Sequence, residues 1–331
     1  MSKKWIVPIV KAGLLTGIFY WLISSGKLNI QDLSKYKTDP KLILYLVSTW
    51  IISFIFIAAY RLKVICGALD IKKSFLNMVN LHMIGTFFNV AMPGSVGGDF
   101  IKGFYLYKED ESTTKTTAFL CIFLDRLSGL LGLFILGFGC FMFLTDDPFS
   151  HKQILPLVLF VSIFFVGSLG VVGLFFFGGE KIINWFQSKV NFLAKLDLLN
   201  QLKVASKALS KKPQTFLTAL LLSMIIQGSN MLFFFYICTK FSSDVTFAQV
   251  ALVFPLGVLI SAIPLAPGGL GVGHAAFEKL FTMLGIQEGV GANAFNLHVV
   301  GFIACFCVGG IPYLLNRKKI KKDMQTEDAI S

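Results

Sequence analysis

The sequence predicts an all-α polytopic membrane protein made of two inverted repeats, each with three spans plus one broken, re-entrant Pro-Gly helix pair. Three observations carry this. Hydrophobic residues make up 55% of the chain and charged residues 15%, against about a quarter charged in soluble domains. Apolar runs long enough to cross a bilayer recur along the whole length. Two apolar segments are interrupted by nearly the same pentapeptide, "PGSVG" at Pro93–Gly97 and "PGGLG" at Pro267–Gly271, 174 residues apart. The short alternating segments of a membrane β-barrel are not seen.

Six spans are expected, at about 5–24, 42–60, 116–144, 154–177, 214–238 and 291–315. The first, within "MSKKWIVPIVKAGLLTGIFYWLISSGK", reads as an uncleaved span: its apolar part is long, Lys11 interrupts it, and no A-x-A-like site follows. Two further apolar segments are broken, one over about 75–107 and one over about 247–285. The order span, span, broken segment, span occurs twice. It sets repeat 1 at about 5–145 and repeat 2 at about 154–316 within a single transmembrane domain spanning 1–331, with a basic tail at 317–331.

A broken segment that enters and leaves on one side leaves three crossings per repeat, and an odd number inverts the second repeat. With the N-terminus inside, the lysine-rich Lys181–Lys212 connection and the basic tail also fall inside, as the positive-inside rule asks. The short "DDPFSHK" turn and the 286–290 turn fall outside. The 25–41 loop, with Lys27, Lys35, Lys37 and Lys41, falls outside against that rule. The net charge of +12 is thus accounted for by topology, and no nucleic-acid partner is expected. Lys181–Lys212, with Ile182, Trp185, Phe186 and Phe192 among lysines, reads as an interfacial or solvated connecting helix.

Six scattered cysteines show neither metal spacing nor a disulfide framework. There is no GxxxxGK[ST] motif and no stretch long enough for a soluble catalytic domain. No cofactor, no metal and no catalytic residue is expected.

The breaks carry the candidate chemistry. Non-helical backbone at membrane depth survives only inside protein or along a wet cavity. A Pro-Gly turn frees the N-terminus of the next half-helix, whose N–H groups favour anions. The alternative is two kinks with close glycine packing. After the first break come Asp99 and Lys102; after the second come His274 and Glu278, four apart and on one face. In "LDRLSGLLG", Asp125 and Arg126 lie about a third of the way into a span, where each charge costs up to roughly 2.5–3.5 kcal/mol. Arg126 is one of three arginines beside 27 lysines, and its fork suits phosphate. Neighbours in sequence point about 100° apart on a helix, so Arg126 need not pair with Asp125; Asp99 is a candidate partner. An ion pair that only holds helices together is the other reading. His82 and His298 read as interhelical hydrogen-bonding residues. Asn89, Gln227, Asn230, Asn293 and Asn296 either line a polar path or tie helices.

Taken together, "PGSVGGDFIKGFYLYK", "DRLSGLLGL" and "PLAPGGLGVGHAAFEKLF", in this order, resemble the flippase-like membrane family. That family includes the membrane region of lysylphosphatidylglycerol synthase, the multiple peptide resistance factor. The resemblance covers nearly the whole chain and implies translocation of a lipid between leaflets of the bacterial cytoplasmic membrane. It places Pro93, Gly94, Gly97, Gly98, Asp99 and Lys102 in the first family motif, Asp125 and Arg126 in the second, and Pro267, Gly268, Gly269, Leu270 and Gly271 in the third. The family often carries a glutamate where this chain has His274, and Glu278 is one turn on. A chain that ends at Ser331 resembles the flippase part without the soluble aminoacyl-transfer domain. Expected partners are membrane lipids, a separately encoded synthase or glycosyltransferase, and further copies of the chain. The competing readings are an intramembrane transferase and a membrane subunit that serves such a partner.

Overall fold

The structure, a computed structural model, describes Ser24 and residues 33–91, 97–108, 113–145, 154–177, 184–185, 203–204, 206–207, 209–263, 269–307, 309–310 and 312–313. The span expected at 5–24 and most of 181–212 lie outside the described residues, as do Pro93, Gly94, Pro267 and Gly268.

Ten helices organise the described residues: α1 (Leu33–Thr38), α2 (Pro40–Ala68), α3 (Phe75–Ala91), α4 (Gly97–Lys108), α5 (Lys115–Leu144), α6 (Leu155–Phe177), α7 (Pro213–Cys238), α8 (Phe247–Ser261), α9 (Val272–Met283) and α10 (Val290–Cys307). Among the described residues there is no strand. Four of them, α2, α5, α6 and α7, are long and apolar enough to cross a membrane. The segments read as broken are indeed pairs of shorter helices, α3 with α4 and α8 with α9.

Local chemistry sets the helix ends. Thr114 caps α5 by accepting from the Thr117 amide. Thr246 and Gln249 form a reciprocal capping box on α8. Gly269 (φ 72°) and Gly271 (φ 82°) hold left-handed turns into α9 that a side chain would strain. The middle of α2, Val47–Ile57, is wound as a π-helix, a rare form that concentrates at functional places. There Thr49 Oγ1 donates to the Ser229 carbonyl, and Ser229 Oγ donates to Ser53 Oγ.

Helices α2 and α7 pack along each other and run antiparallel. Asp39, at the start of α2, meets Lys240, just past the end of α7, at 2.5 Å. At the other end, Lys212 before α7 meets the Ala68 carbonyl at 3.2 Å and Asp70 at 3.4 Å. Elements distant in sequence also pack together: α3 on α10, and α8 on α5. An aromatic core of Trp50, Phe233, Phe234, Phe254 and Phe277 joins them around His298. Outside it, α6 exposes Leu159, Phe160, Ile163, Val166 and Leu169, an apolar face suited to lipid and large for a soluble monomer.

The Asp39 cluster gives a test in pH. Its carboxylate accepts from Lys240, from the Tyr236 hydroxyl at 2.8 Å and from the Lys41 amide at 3.0 Å. These bonds bring its pKa down from 3.8 to about 2, and the same contact raises that of Lys240. A depressed carboxylate pKa stabilises the fold above the unfolded value and loses that contribution as pH falls through the folded one. The wild-type advantage over Asp39→Asn in thermal unfolding is therefore expected whole above pH 3.8 and gone once pH falls below about 2. A gap that persists unchanged below that pH would mean the carboxylate charge is not what holds this corner.

Candidate functional site

The site is built on one helix face that the sequence marks with small residues. Asp125, Ser128, Gly129 and Gly132 lie at i, i+3, i+4 and i+7 of α5, one stripe turned inward. Arg61 of α2 enters it: Nε meets Asp125 Oδ1 at 2.8 Å and Nη1 donates to Ser223 Oγ of α7 at 2.9 Å. A methyl at Gly129 would stand 3.1 Å from Arg61 Nη1, and one at Gly132 would stand 2.8 Å from the Ser223 Cβ. The glycines make room for the guanidinium and for α7. Both members of the Arg61–Asp125 pair are buried. The charge pairing with Asp125 and the added bond to Ser223 meet the condition for burying ions in a low-dielectric interior.

Arg126 points the other way. Its Nε meets Asp99 Oδ2 at 2.5 Å, the partner the sequence offered, and Lys102 Nζ reaches Asp99 Oδ1 at 2.9 Å. Lys102 is only 2% exposed, whereas the Arg126 side chain is 45% exposed. Asp99 lies in the first turn of α4, where a carboxylate complements the helix dipole.

Hairpin packing places these groups. His82, Gly85 and Asn89 form one stripe of α3 facing α4. Asn89 Oδ1 accepts from the Gly98 amide at 2.8 Å, a capping bond across the break. A methyl at Gly85 would stand 2.6 Å from Lys102 Cγ, so the lysine stem lies along α3 there. The result is an ordered row: Arg126, Asp99 and Lys102 on the outer side, Asp125 and Arg61 on the inner. Among the described residues it holds three cations and two carboxylates.

The second pair, α8 with α9, carries different chemistry. Its break is satisfied by His274 Nδ1, which accepts from the Gly271 amide at 3.2 Å and leaves Nε2–H for Asn296 Oδ1 at 3.5 Å. Glu278 does not turn to His274. Its two oxygens accept from the Gly289 and Ala292 amides at 2.6 and 2.9 Å, capping α10. The structure thus gathers Gly97, Gly98, Asp99, Lys102 and Arg126 in one place and turns Asp125 toward Arg61. Gly269, Gly271, His274 and Glu278 belong to the other hairpin.

Most of the polar residues tie helices together. Gln227 donates to the Gly129 carbonyl, and His298 Nε2 donates to Asn230 Oδ1 at 2.8 Å. His82 departs from that expectation: it is buried, and neither ring nitrogen has a hydrogen-bond partner among the described residues. Arg61 was missed by sequence reasoning, because the apolar window closes at Tyr60 while the helix runs on to Ala68. Its being an arginine in so lysine-rich a chain was the available signal.

A UPF0104 membrane protein of Pyrococcus horikoshii is 22% identical across 96% of this chain and 98% of its own length. A UPF0104 membrane protein of Methanothermobacter thermautotrophicus is also 22% identical, over 95% of this chain and 96% of its own. No solved structure matches the chain. The family model for the lysylphosphatidylglycerol synthase TM region matches residues 9–309. With its long apolar helices, paired half-helices and buried ion row, this chain is a multi-pass membrane protein that belongs to the lysylphosphatidylglycerol synthase transmembrane-region family.

Proposed function

We propose that the chain translocates a phosphate-bearing lipid across the bacterial cytoplasmic membrane, with two oppositely inserted halves and both termini on the cytoplasmic side. One observation carries the reading: Arg126 is half-exposed within an ion group that, among the described residues, holds three cations and two carboxylates. It also shares its face of α5 with exposed Phe119 and Leu130, and Phe100 of α4 packs on Phe119. A guanidinium that surfaces among apolar side chains suits an anion that arrives with acyl chains attached. Arg126 lies 11 residues into α5, about 16 Å along the helix at 1.5 Å per residue. Phosphate suits the half-exposed Arg126 side chain, and Asp99 beside it suits a cationic headgroup substituent such as a lysyl ammonium. The antiparallel α2–α7 pair and the α3–α10 and α8–α5 contacts support opposite insertion of the halves.

The test is translocation of acyl-labelled phosphatidylglycerol and lysylphosphatidylglycerol by the purified chain in liposomes. Arg126→Ala is expected to slow it by tenfold or more. Arg126→Lys keeps the charge without the fork and is expected to fall between. Folded wild-type protein that moves no anionic, zwitterionic or lysylated lipid would overturn this reading in favour of a subunit that needs a separately encoded synthase.

A further inference from the structure

Helices α2 and α7 are clasped at three levels. At one end Asp39 meets Lys240; in the middle Thr49 Oγ1 donates to the Ser229 carbonyl at 3.1 Å; at the other end Arg61 Nη1 donates to Ser223 Oγ at 2.9 Å. The two helices spend different lengths of chain between the outer clasps. Helix α2 takes 22 positions from Asp39 to Arg61, and α7 takes 17 from Lys240 to Ser223. At 1.5 Å per residue, uniform α-helix would run about 33 Å beside about 26 Å. From Asp39 to Thr49 the count is 10 against 11 on α7, so the surplus of α2 falls after Thr49. The Arg61 side chain, tilted back toward the N-terminus of α2, bridges part of it. The π-wound stretch Val47–Ile57 takes up the rest, because turns closed over five residues pack more chain into the same length than turns closed over four.

Two hydroxyls hold that winding. Ser53 Oγ donates to the Ser48 carbonyl at 3.0 Å, five residues back and so in step with the π interval. It also accepts from Ser229 Oγ at 2.8 Å, beside the bond from Thr49. Thr49 and Ser53 are both buried. Beyond the stretch, α2 runs on as ordinary α-helix to Ala68 and carries Arg61 with it.

We infer that α2 is a two-length element: it is π-wound over Val47–Ile57 while Arg61 holds Asp125 and Ser223, and rewinding of that stretch as α-helix lengthens α2 from its Asp39 clasp and carries Arg61 off both partners. The move runs toward the end of the bundle where Asp70 and Lys212 are exposed, so the guanidinium nears water as it leaves its carboxylate. The inference is independent of any anion at Arg126. It supplies an element with two discrete arrangements, the requirement for one helix to change register against another. Winding and clasp are linked, and loosening either one shifts the population of the other.

The experiment measures distances between spin labels in the full chain in detergent. The labels stand at Leu44 and Tyr60, exposed positions on either side of the stretch, and enter as non-canonical residues so that the native cysteines are untouched. Sixteen α-helical steps separate these positions, about 24 Å. Wild type is expected to give a shorter main distance. Thr49→Val with Ser53→Ala is expected to shift the distribution toward about 24 Å. Arg61→Met with Asp125→Leu, which opens the clasp without stranding a charge, is expected to do the same. A wild-type distance already at about 24 Å overturns the π-wound state. Absence of the shift in either double variant overturns the linkage. A matching change between labels at Leu217 and Leu232 of α7 assigns the effect to general loosening and also overturns it. Should the double variants fail to fold, deletion of Ile52 decides. It removes one exposed surplus residue and is expected to leave Tm near wild type, while deletion of the equally exposed Leu221 from the regular α7 lowers Tm by about 10 °C or more. Equal losses from the two deletions overturn the surplus.

Discussion

Asp125→Ala is expected to destabilise the protein by about 3–5 kcal/mol, the range found when one member of a buried ion pair is removed. The substitution leaves Arg61 buried between α2, α5 and α7, with Ser223 Oγ the one side-chain acceptor left to it among the described residues. The loss comes from the stranded cation more than from the missing attraction, so it has a signature. Removing both charges, as Arg61→Met with Asp125→Leu, is expected to recover most of the stability. Unfolding of the four species in one detergent gives the cycle. A single-mutant loss below about 1 kcal/mol would mean that water reaches this pair, and the inner part of the row would have to be redrawn as a wet cavity.

Gly98→Ala has the second large expected effect. A methyl there would overlap the Gly85 carbonyl oxygen and stand 2.6 Å from Asn89 Oδ1. The overlapping atom is backbone, so no rotamer change relieves it. The first hairpin must part, and Asn89 must leave the Gly98 amide. We expect a loss of about 3 kcal/mol, at the upper end for overpacking, together with loss of translocation because Asp99 and Lys102 move with α4. Gly139→Ala is the control. Nothing lies within 4 Å of its added methyl, and replacing an interior helical glycine by alanine is expected to be neutral or to stabilise by up to about 1 kcal/mol. Similar losses in both would show a general intolerance of helix substitution, and the hairpin contact would lose its special standing.

Much of this was legible in the sequence because a bilayer imposes few solutions. Apolar length located the described spans to within a few residues, apart from the end at Ala68; the end expected near 315 lies outside the described residues. The two Pro-Gly breaks located the hairpins because backbone at membrane depth must be held by something. Arg126 found Asp99 because a charge one third into a span needs a partner nearby. Other features have no local signal. Arg61 and Asp125 meet across 64 positions of sequence, and only the packing of α2 on α5 joins them. Glu278 lies on the face of His274 by spacing, yet two open amides at the start of α10 hold it more firmly. The π-helical winding of Val47–Ile57 leaves no mark in composition at all.

The two helix pairs follow matching Pro-Gly motifs in the sequence but carry different charges. Counting 174 residues on, Asp99 corresponds to Gly273 and Lys102 to Ala276. The Phe295 ring fills the space a side chain at Gly273 would need. The second half cannot acquire its own copy of the ion row by point substitution without first displacing that ring. On the transport reading proposed above, this leaves one charged seat per chain, on the first hairpin.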